Sequence, residues 1–313
     1  GYLLDDNIDQ GIAGVMPDIA PYLNQQPGRA HVVYAHESGR GHSTNNLLTE
    51  YEIREVTVDW RQPSTSANFS TTPIVLEHSV PFDQPNDDLF PGGLILPDAV
   101  VDDYGNLVVS WESYLRKGHL SYTGDPKGCV QLRRFSAPSS PTPYSLLNQL
   151  TFYGRKMDNA QRRPALSTSR ADSKNQVTLG WGDIVYTGQR RSRLHFKNIE
   201  FTNNTASSIV RSIPWTENTG NKDSMPAVSR TENINAGFSA RAFPYSNRLY
   251  YSYRLGDDPI RENVLDTQVL YPWRPAVQIV EDPRSNFAAV VYEGADTQDP
   301  EDYKLYLTIQ RLR

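Results

Sequence analysis

The feature that most constrains this chain is a unit that recurs five times. Each copy opens on Pro followed by a small or acidic residue and an aliphatic: Pro17-Asp18-Ile19, Pro97-Asp98-Ala99-Val100, Pro164-Ala165-Leu166, Pro226-Ala227-Val228 and Pro275-Ala276-Val277. A short β-rich run with an aromatic follows: Val32-Val33-Tyr34, Val108-Val109-Ser110-Trp111, Leu179-Gly180-Trp181, Tyr251-Ser252-Tyr253 and Val290-Val291-Tyr292. The Pro-to-aromatic distance is 17 residues in the first, third and fifth copies, 14 in the second and 27 in the fourth. A third apolar run is centred near Leu48, Leu132, Phe196, Val269 and Leu307. One such unit cannot bury a core alone, so copies must pack on their neighbours. Repeats of roughly 50 residues with several short strands each predict a radial array. The expected fold is therefore all-β: a β-propeller of five blades with about four antiparallel strands each. One domain spans 1–313, with blades starting near residues 17, 97, 164, 226 and 275.

Composition agrees where it is informative. Tyr (18) far outnumbers Met (3), and aromatic residues suit a pleated, half-buried surface. Pro (22) and Gly (20) are spread along the chain, as many turns require. A net charge of −5 argues against a general nucleic-acid binder, which needs clustered Lys and Arg to neutralise phosphates. No apolar run approaches the roughly 20 residues of a membrane-spanning helix. Cys129 is the single cysteine, which leaves no intramolecular disulfide; it reads as a part-buried small hydrophobe. The start at Gly1-Tyr2 without Met reads as processed. With the polar, Tyr-rich, Cys-poor composition, it points to the extracellular space or the periplasm. Asn68-Phe69-Ser70 and Asn203-Asn204-Thr205 fit the glycosylation sequon.

Along the chain, residues 1–16 are a lead-in that can supply the closing strand of the last unit. Ala30 to Tyr34 reads as a strand continuing to His36, and Leu47 to Val58 as the next. Residues 61–97 form a long Pro-rich connection in which Pro73-Ile74-Val75-Leu76 is an outer strand and the rest is loop. Asp102-Asp103-Tyr104-Gly105-Asn106 between two apolar runs is a strong hairpin signal. Tyr144 to Phe152 fits a short helix or an outer strand. Asn203 to Asn221 and Gly256 to Asn263 read as loops.

Candidate site residues come from coincidences between units. His42 and His119 each lie eight residues beyond their unit's aromatic, in Arg40-Gly41-His42 and Lys117-Gly118-His119. Both are expected in the loop after the second strand. Two imidazoles with Arg40 and Lys117 can bind an anion or act as acid and base near neutral pH. Solvated turn residues explain the same pattern. His36, Glu37 and His42 have the wrong spacing for a helical zinc motif; a metal site, if any, would combine His36, His42 and His119. No cofactor is expected. Glu37, Glu112, Asp183 and Glu293 leave the second strands at similar places, and Asp18 and Asp98 sit on the inner-strand signature. Glycosidase chemistry needs two carboxyls, whereas strand-end carboxylates also cap turns. Arg163 and Arg274 precede the inner-strand prolines and can clamp a carboxylate. His31, His78 and His195 read as surface residues.

This pattern resembles the sialidase-like (BNR-type) β-propeller superfamily, with Arg163-Pro164 and Arg274-Pro275 similar to the arginine-proline start of sialidase strands. The Asp-box, Ser-x-Asp-x-Gly-x-Thr-Trp, is absent from the sequence, which argues against a true sialidase. Pro97 to Val109 looks like the Asp-bearing blade of five-bladed glycosidases. The placement of His42 and His119 is similar to that in propeller polysaccharide lyases. Since no tight catalytic motif is present, the leading expectation is a binding or scaffolding module for a partner protein or glycan, able to join a larger complex. The alternative is a glycan-active lyase or hydrolase using His42, His119, Glu37 and Glu112, with Arg40, Lys117, Arg163, Arg274 and Asp98 holding the ligand. A metalloprotein comes third.

Overall fold

A computed structural model describes residues 18–21, 28–43, 46–59, 73–78, 95–115, 127–136, 144–153, 159–169, 176–185, 191–205, 210–221, 227–230, 239–245, 248–254, 261–265, 270–282, 285–295 and 303–312. Among them no helix occurs. The strands form five antiparallel sheets in which chain order is spatial order. The protein is all-β, built from antiparallel sheets of three or four strands, as the repeats predict for each unit. It divides into two compact units, residues 1–101 with 105–161, and 102–104 with 162–313.

The first unit holds two sheets. The first sheet runs β1 (Asp18–Pro21), β2 (Arg29–Ser43), β3 (Asn46–Asp59) and β4 (Ile74–His78). The second runs β5 (Ile95–Val101), β6 (Leu107–Leu115), β7 (Lys127–Phe135) and β8 (Leu146–Tyr153). Strand alternation puts Val33 and Ala35 on one face of β2, and Leu107, Val109 and Trp111 on one face of β6. These faces form one core with Ala20, Ile53, Ala99 and Phe135, against which Leu76, Val101 and Tyr144 pack. Burying each valine, leucine or isoleucine side chain there contributes about 1.5–3 kcal/mol relative to exposure. The hairpin joining β5 to β6 has the expected chemistry. The Tyr104 N–H donates to Asp102 Oδ1 at 2.9 Å, and Gly105 takes φ 80°, a left-handed conformation that costs glycine little. Pro73 to Leu76 and Tyr144 to Phe152 both resolve as outer strands, β4 and β8.

The second unit holds three sheets. They run β9 (Asn159–Ser169) to β12 (Val210–Asn221) through β10 (Gln176–Val185) and β11 (Arg191–Phe201); β13 (Ala227–Arg230) to β16 (Arg261–Leu265); and β17 (Leu270–Asp282), β18 (Ser285–Ala295) and β19 (Tyr303–Arg311). Val177, Leu179, Trp181, Ile199 and Phe201 are buried in the first of these, and Ala288, Val290 and Tyr292 in the last. The outer strand β19 shows an apolar stripe to solvent, with Leu305 75%, Leu307 61% and Ile309 64% exposed.

Three sequence readings are corrected. Residues 210–221, read as loop, form strand β12 (Val210–Asn221). Its Pro214 lies opposite Lys197, where the register shifts; an outer strand with a bulge tolerates a residue lacking N–H. Likewise Arg261 to Leu265, partly read as loop, is strand β16. In the fourth repeat the second strand is β14 (Ser239–Tyr245), and Tyr251 and Tyr253 belong to the third strand, β15 (Arg248–Arg254). Val269 lies outside the described residues. Ala227 pairs with Ala242, just as Asp18 pairs with Val33, Asp98 with Ser110 and Ala276 with Val291. The next residue is aromatic every time: Phe243, Tyr34, Trp111 and Tyr292. Phe243 lies 17 residues after Pro226, so the fourth repeat has the ordinary spacing. The Ala-rich β14 is a weak strand former, and the Tyr-rich run after it drew the reading away.

Candidate functional site

The site grows from the open edge of an inner strand. β5 begins its sheet, so its edge away from β6 has no ladder partner, and an amide there must find another acceptor. The Ala99 N–H donates to Asp18 Oδ2 of β1 at 2.7 Å. The Asp98 side chain, next to Ala99 in β5, is close enough to act on Asp18 and helps to hold its pKa down. Burial raises the Asp18 pKa above its ordinary 3.8; the Ala99 and Ile19 amides and the Asp98 side chain oppose that rise without cancelling it. Two inner strands thus bring an aspartate with a raised pKa close to a second acid.

The backbone presenting Asp98 is irregular. The ladder shifts between Ile95 and Asp98. Leu96 takes φ 53° immediately before Pro97, a left-handed conformation that costs a residue with a Cβ about 1–3 kcal/mol. Pro97 has no N–H for the ladder, and bulges re-aim neighbouring side chains. The last sheet repeats the irregularity between Trp273 and Ala276, around Arg274-Pro275. Across the β5–β6 ladder, Asp98 faces Ser110 and Ile95 faces Glu112. Asp98, Ser110 and Glu112 therefore share a face, with Glu112 only 7% exposed.

Two more polar contacts bridge the same two sheets. His31 Nδ1 lies 2.8 Å from Glu55 Oε1 and 3.0 Å from the Tyr144 hydroxyl of the second sheet. Thr57 Oγ1 donates to Glu55 Oε1 at 2.7 Å. His31 and Glu55 are both fully buried; the expectation of a surface His31 is wrong, because strand alternation turns it inward beside Val33 and Ala35. Farther out, Arg133 pairs with Glu77 and lies over the Trp111 ring, 5.5 Å from its centroid.

The other sequence candidates are distributed as follows. His42, Glu37 and Arg40 fall within β2 opposite Leu47, Tyr51 and Thr49; His42 is in a strand rather than a loop, because the β2–β3 ladder continues to Ser43 and Asn46. Their side chains lie outside the described residues, as does that of His78, and His119 and Lys117 lie outside them altogether. Glu112, Asp183 and Glu293 stand within β6, β10 and β18, so they are not strand-end caps. Arg163 and Arg274 lie on β9 and β17, with side chains outside the description. His36 is 3% exposed and faces Glu52. His195 is half-buried and stacks on Trp181, centroids 5.0 Å apart. Among the described residues no group of three or more His, Cys, Asp or Glu is placed to hold a metal ion. Cys129 is buried, and burial pushes its thiol up to about 12. The His31 network escaped sequence reasoning; its signal was a lone histidine in the apolar run Ala30-His31-Val32-Val33.

No protein-family model and no characterised protein sequence matches the chain. Solved structures do resemble it. An α-L-arabinanase of Penicillium chrysogenum complexed with arabinobiose is 10% identical, with TM-score 0.45, over 95% of this chain and 93% of that one. A thermostable family-43 glycoside hydrolase is 11% identical, with TM-score 0.40, over 97% and 91%. The polysaccharide lyase Uly1 is 6% identical, with TM-score 0.44, over 95% of this chain and 58% of that one. The likeness concerns fold alone and does not select the BNR type.

Proposed function

We propose that this protein is a glycan-active hydrolase whose acid pair is Asp18 and Asp98 and whose base is Glu112. The observation that carries the reading is the Ala99 N–H bond to Asp18 at 2.7 Å, which sets that carboxyl beside Asp98, with burial raising the Asp18 pKa. Pairs of titratable groups pushed apart by their surroundings supply acid and base roles. The resemblance of Pro97 to Val109 to the Asp-bearing blade of five-bladed glycosidases supports the substrate class. Glu112 lies two residues beyond Ser110, the ladder partner of Asp98, on the same face. Inverting glycosidases separate their carboxyls by about 6.5–9.5 Å and retaining ones by about 5–5.5 Å, and the reading takes the inverting arrangement. The proton of the acid pair goes to the glycosidic oxygen, and Glu112 takes one from the attacking water. His42 and His119 remain candidates for substrate contact. We place the protein outside the cytoplasm on its composition; no helix among the described residues is long and apolar enough to cross a membrane.

The test is a polysaccharide panel with proton NMR of the first product. A released sugar of inverted anomeric form, with activity falling about 10²–10⁴-fold in Asp98→Asn and Glu112→Gln, supports the proposal. An unsaturated product would make it a lyase. No cleavage of any glycan sinks the catalytic reading and restores the binding one, to which the exposed stripe Leu305, Leu307 and Ile309 gives its own support as a partner surface.

A further inference from the structure

Ser110 is one of several buried polar groups of the first unit with an unbonded side-chain atom, and the one that faces Asp98 in the ladder. Its side chain is fully buried, and its Oγ has no hydrogen-bond partner. A buried hydroxyl left unbonded costs about 1–3 kcal/mol, whereas alanine there would cost nothing of that kind. In the ladder Ser110 lies directly opposite Asp98, where facing Cβ atoms are about 4.5–5.5 Å apart. Directly opposed side chains at that spacing interact, which makes the Ser110 hydroxyl a ladder neighbour of the Asp98 carboxyl.

We propose that Ser110 is a positioning residue for the acid pair: its hydroxyl turns to donate to Asp98 when the pair gives up its proton. This rests on the hydrolase reading for its catalytic meaning. While the pair holds that proton, the serine is idle. Once that proton leaves for a glycosidic oxygen, two carboxylates face one another and repel. The serine then supplies a donor to Asp98, and the pair survives charged until it is reprotonated. Among the described residues, the charged groups near Asp98 on β1 and on its face of the second sheet include Asp18, Glu112 and, farther along, Arg134 of β7, whose Nη1 donates to Asn148 at 3.2 Å. Arginine has no acceptor lone pair, so it cannot take the Ser110 proton; the two acids can.

The experiment is a carbon-13 carboxyl NMR titration of the whole protein, comparing wild type, Ser110→Ala, Ser110→Thr and Asp98→Asn. Asp98→Asn identifies the resonances of the pair by abolishing their coupled step. A donor bonded to the ionised form favours that form, so removing it moves the deprotonation of the pair to higher pH. A hydrogen bond to a charged group is worth about 1.5–3 kcal/mol, which corresponds to a rise of about one to two pH units in Ser110→Ala. Ser110→Thr, which keeps the hydroxyl, restores the wild-type midpoint. An unchanged midpoint in Ser110→Ala overturns the proposal, even if thermal stability changes, because that outcome describes a merely structural serine. The titration needs no substrate. A moved midpoint without glycan cleavage refutes the hydrolase reading alone, and cleavage with an unmoved midpoint refutes only the role of Ser110.

Discussion

Asp18 makes two opposed contributions to stability, and substitutions can separate them. Its carboxylate accepts the Ala99 N–H at 2.7 Å, but burial disfavours its charge. Asp18→Asn keeps a side-chain carbonyl for the amide, offers an NH₂ to Asp98 and removes the charge. Asp18→Ala removes the charge and also strands the Ala99 N–H, at about 1–3 kcal/mol. Asparagine is therefore expected to exceed alanine in stability by that amount. At about 2–4 °C per kcal/mol for a chain of this size class, the gap in Tm is about 2–12 °C. The wild type is distinguished by its pH dependence. A raised folded-state pKa means that Asp18 stabilises fully below its ordinary 3.8, and that this stabilisation is lost as pH rises through the folded value. Lowering the pH should thus improve the wild type relative to Asp18→Asn. Urea denaturation of the three proteins at a series of pH values measures both effects. Equal stability of the alanine and asparagine variants would show that Ala99 does not depend on Asp18. A pH-independent difference between wild type and asparagine would refute the buried-charge argument.

Two further outcomes check the packing of the first unit. Breaking the buried contact by His31→Ala or Glu55→Ala strands its partner and is expected to cost about 1–3 kcal/mol. Removing the partly exposed Arg29–Asp59 pair, side chains 40% and 20% accessible, by Arg29→Ala should cost no more than about 1 kcal/mol; chemical denaturation compares the three. Cys129, with its thiol pushed up to about 12, is expected to resist a thiol reagent at neutral pH in the folded protein and to react once unfolded, since the thiolate is the nucleophile.

What was legible in the sequence follows the range of each interaction. The Pro-to-aromatic spacing is local, and it located the β1–β2, β5–β6 and β17–β18 pairs correctly. The hairpin at Asp102 to Asn106 was also visible, because turn chemistry sits in adjacent residues. β14 was missed because Ala240 and Ala242 carry little strand preference, and β12 because Pro214 reads as a breaker unless one knows it lies on an outer strand. The polar contacts between sheets were less accessible still. Asp18 meets Ala99 across 81 residues, and His31 meets Tyr144 across 113; nothing near either partner announces the other. Asp18 and Asp98 could be named as inner-strand acids, but their closeness depends on how two sheets pack. Glu112 was named for its place after Trp111, and only the ladder shows that it shares a face with Asp98.

The bond from Ala99 to Asp18 also limits how these repeats can be shuffled. The fourth repeat carries Ala227 where the first carries Asp18. A chimera with the fourth repeat substituted for the first would still present a strand in that place. It would have no acceptor for the neighbour's open edge, and the seam would carry an unbonded amide. The repeats are thus matched parts whose order matters, and a copy of the fourth joined to the second would need an acid at the place of Ala227, opposite the residue before its aromatic, before the join matched the original.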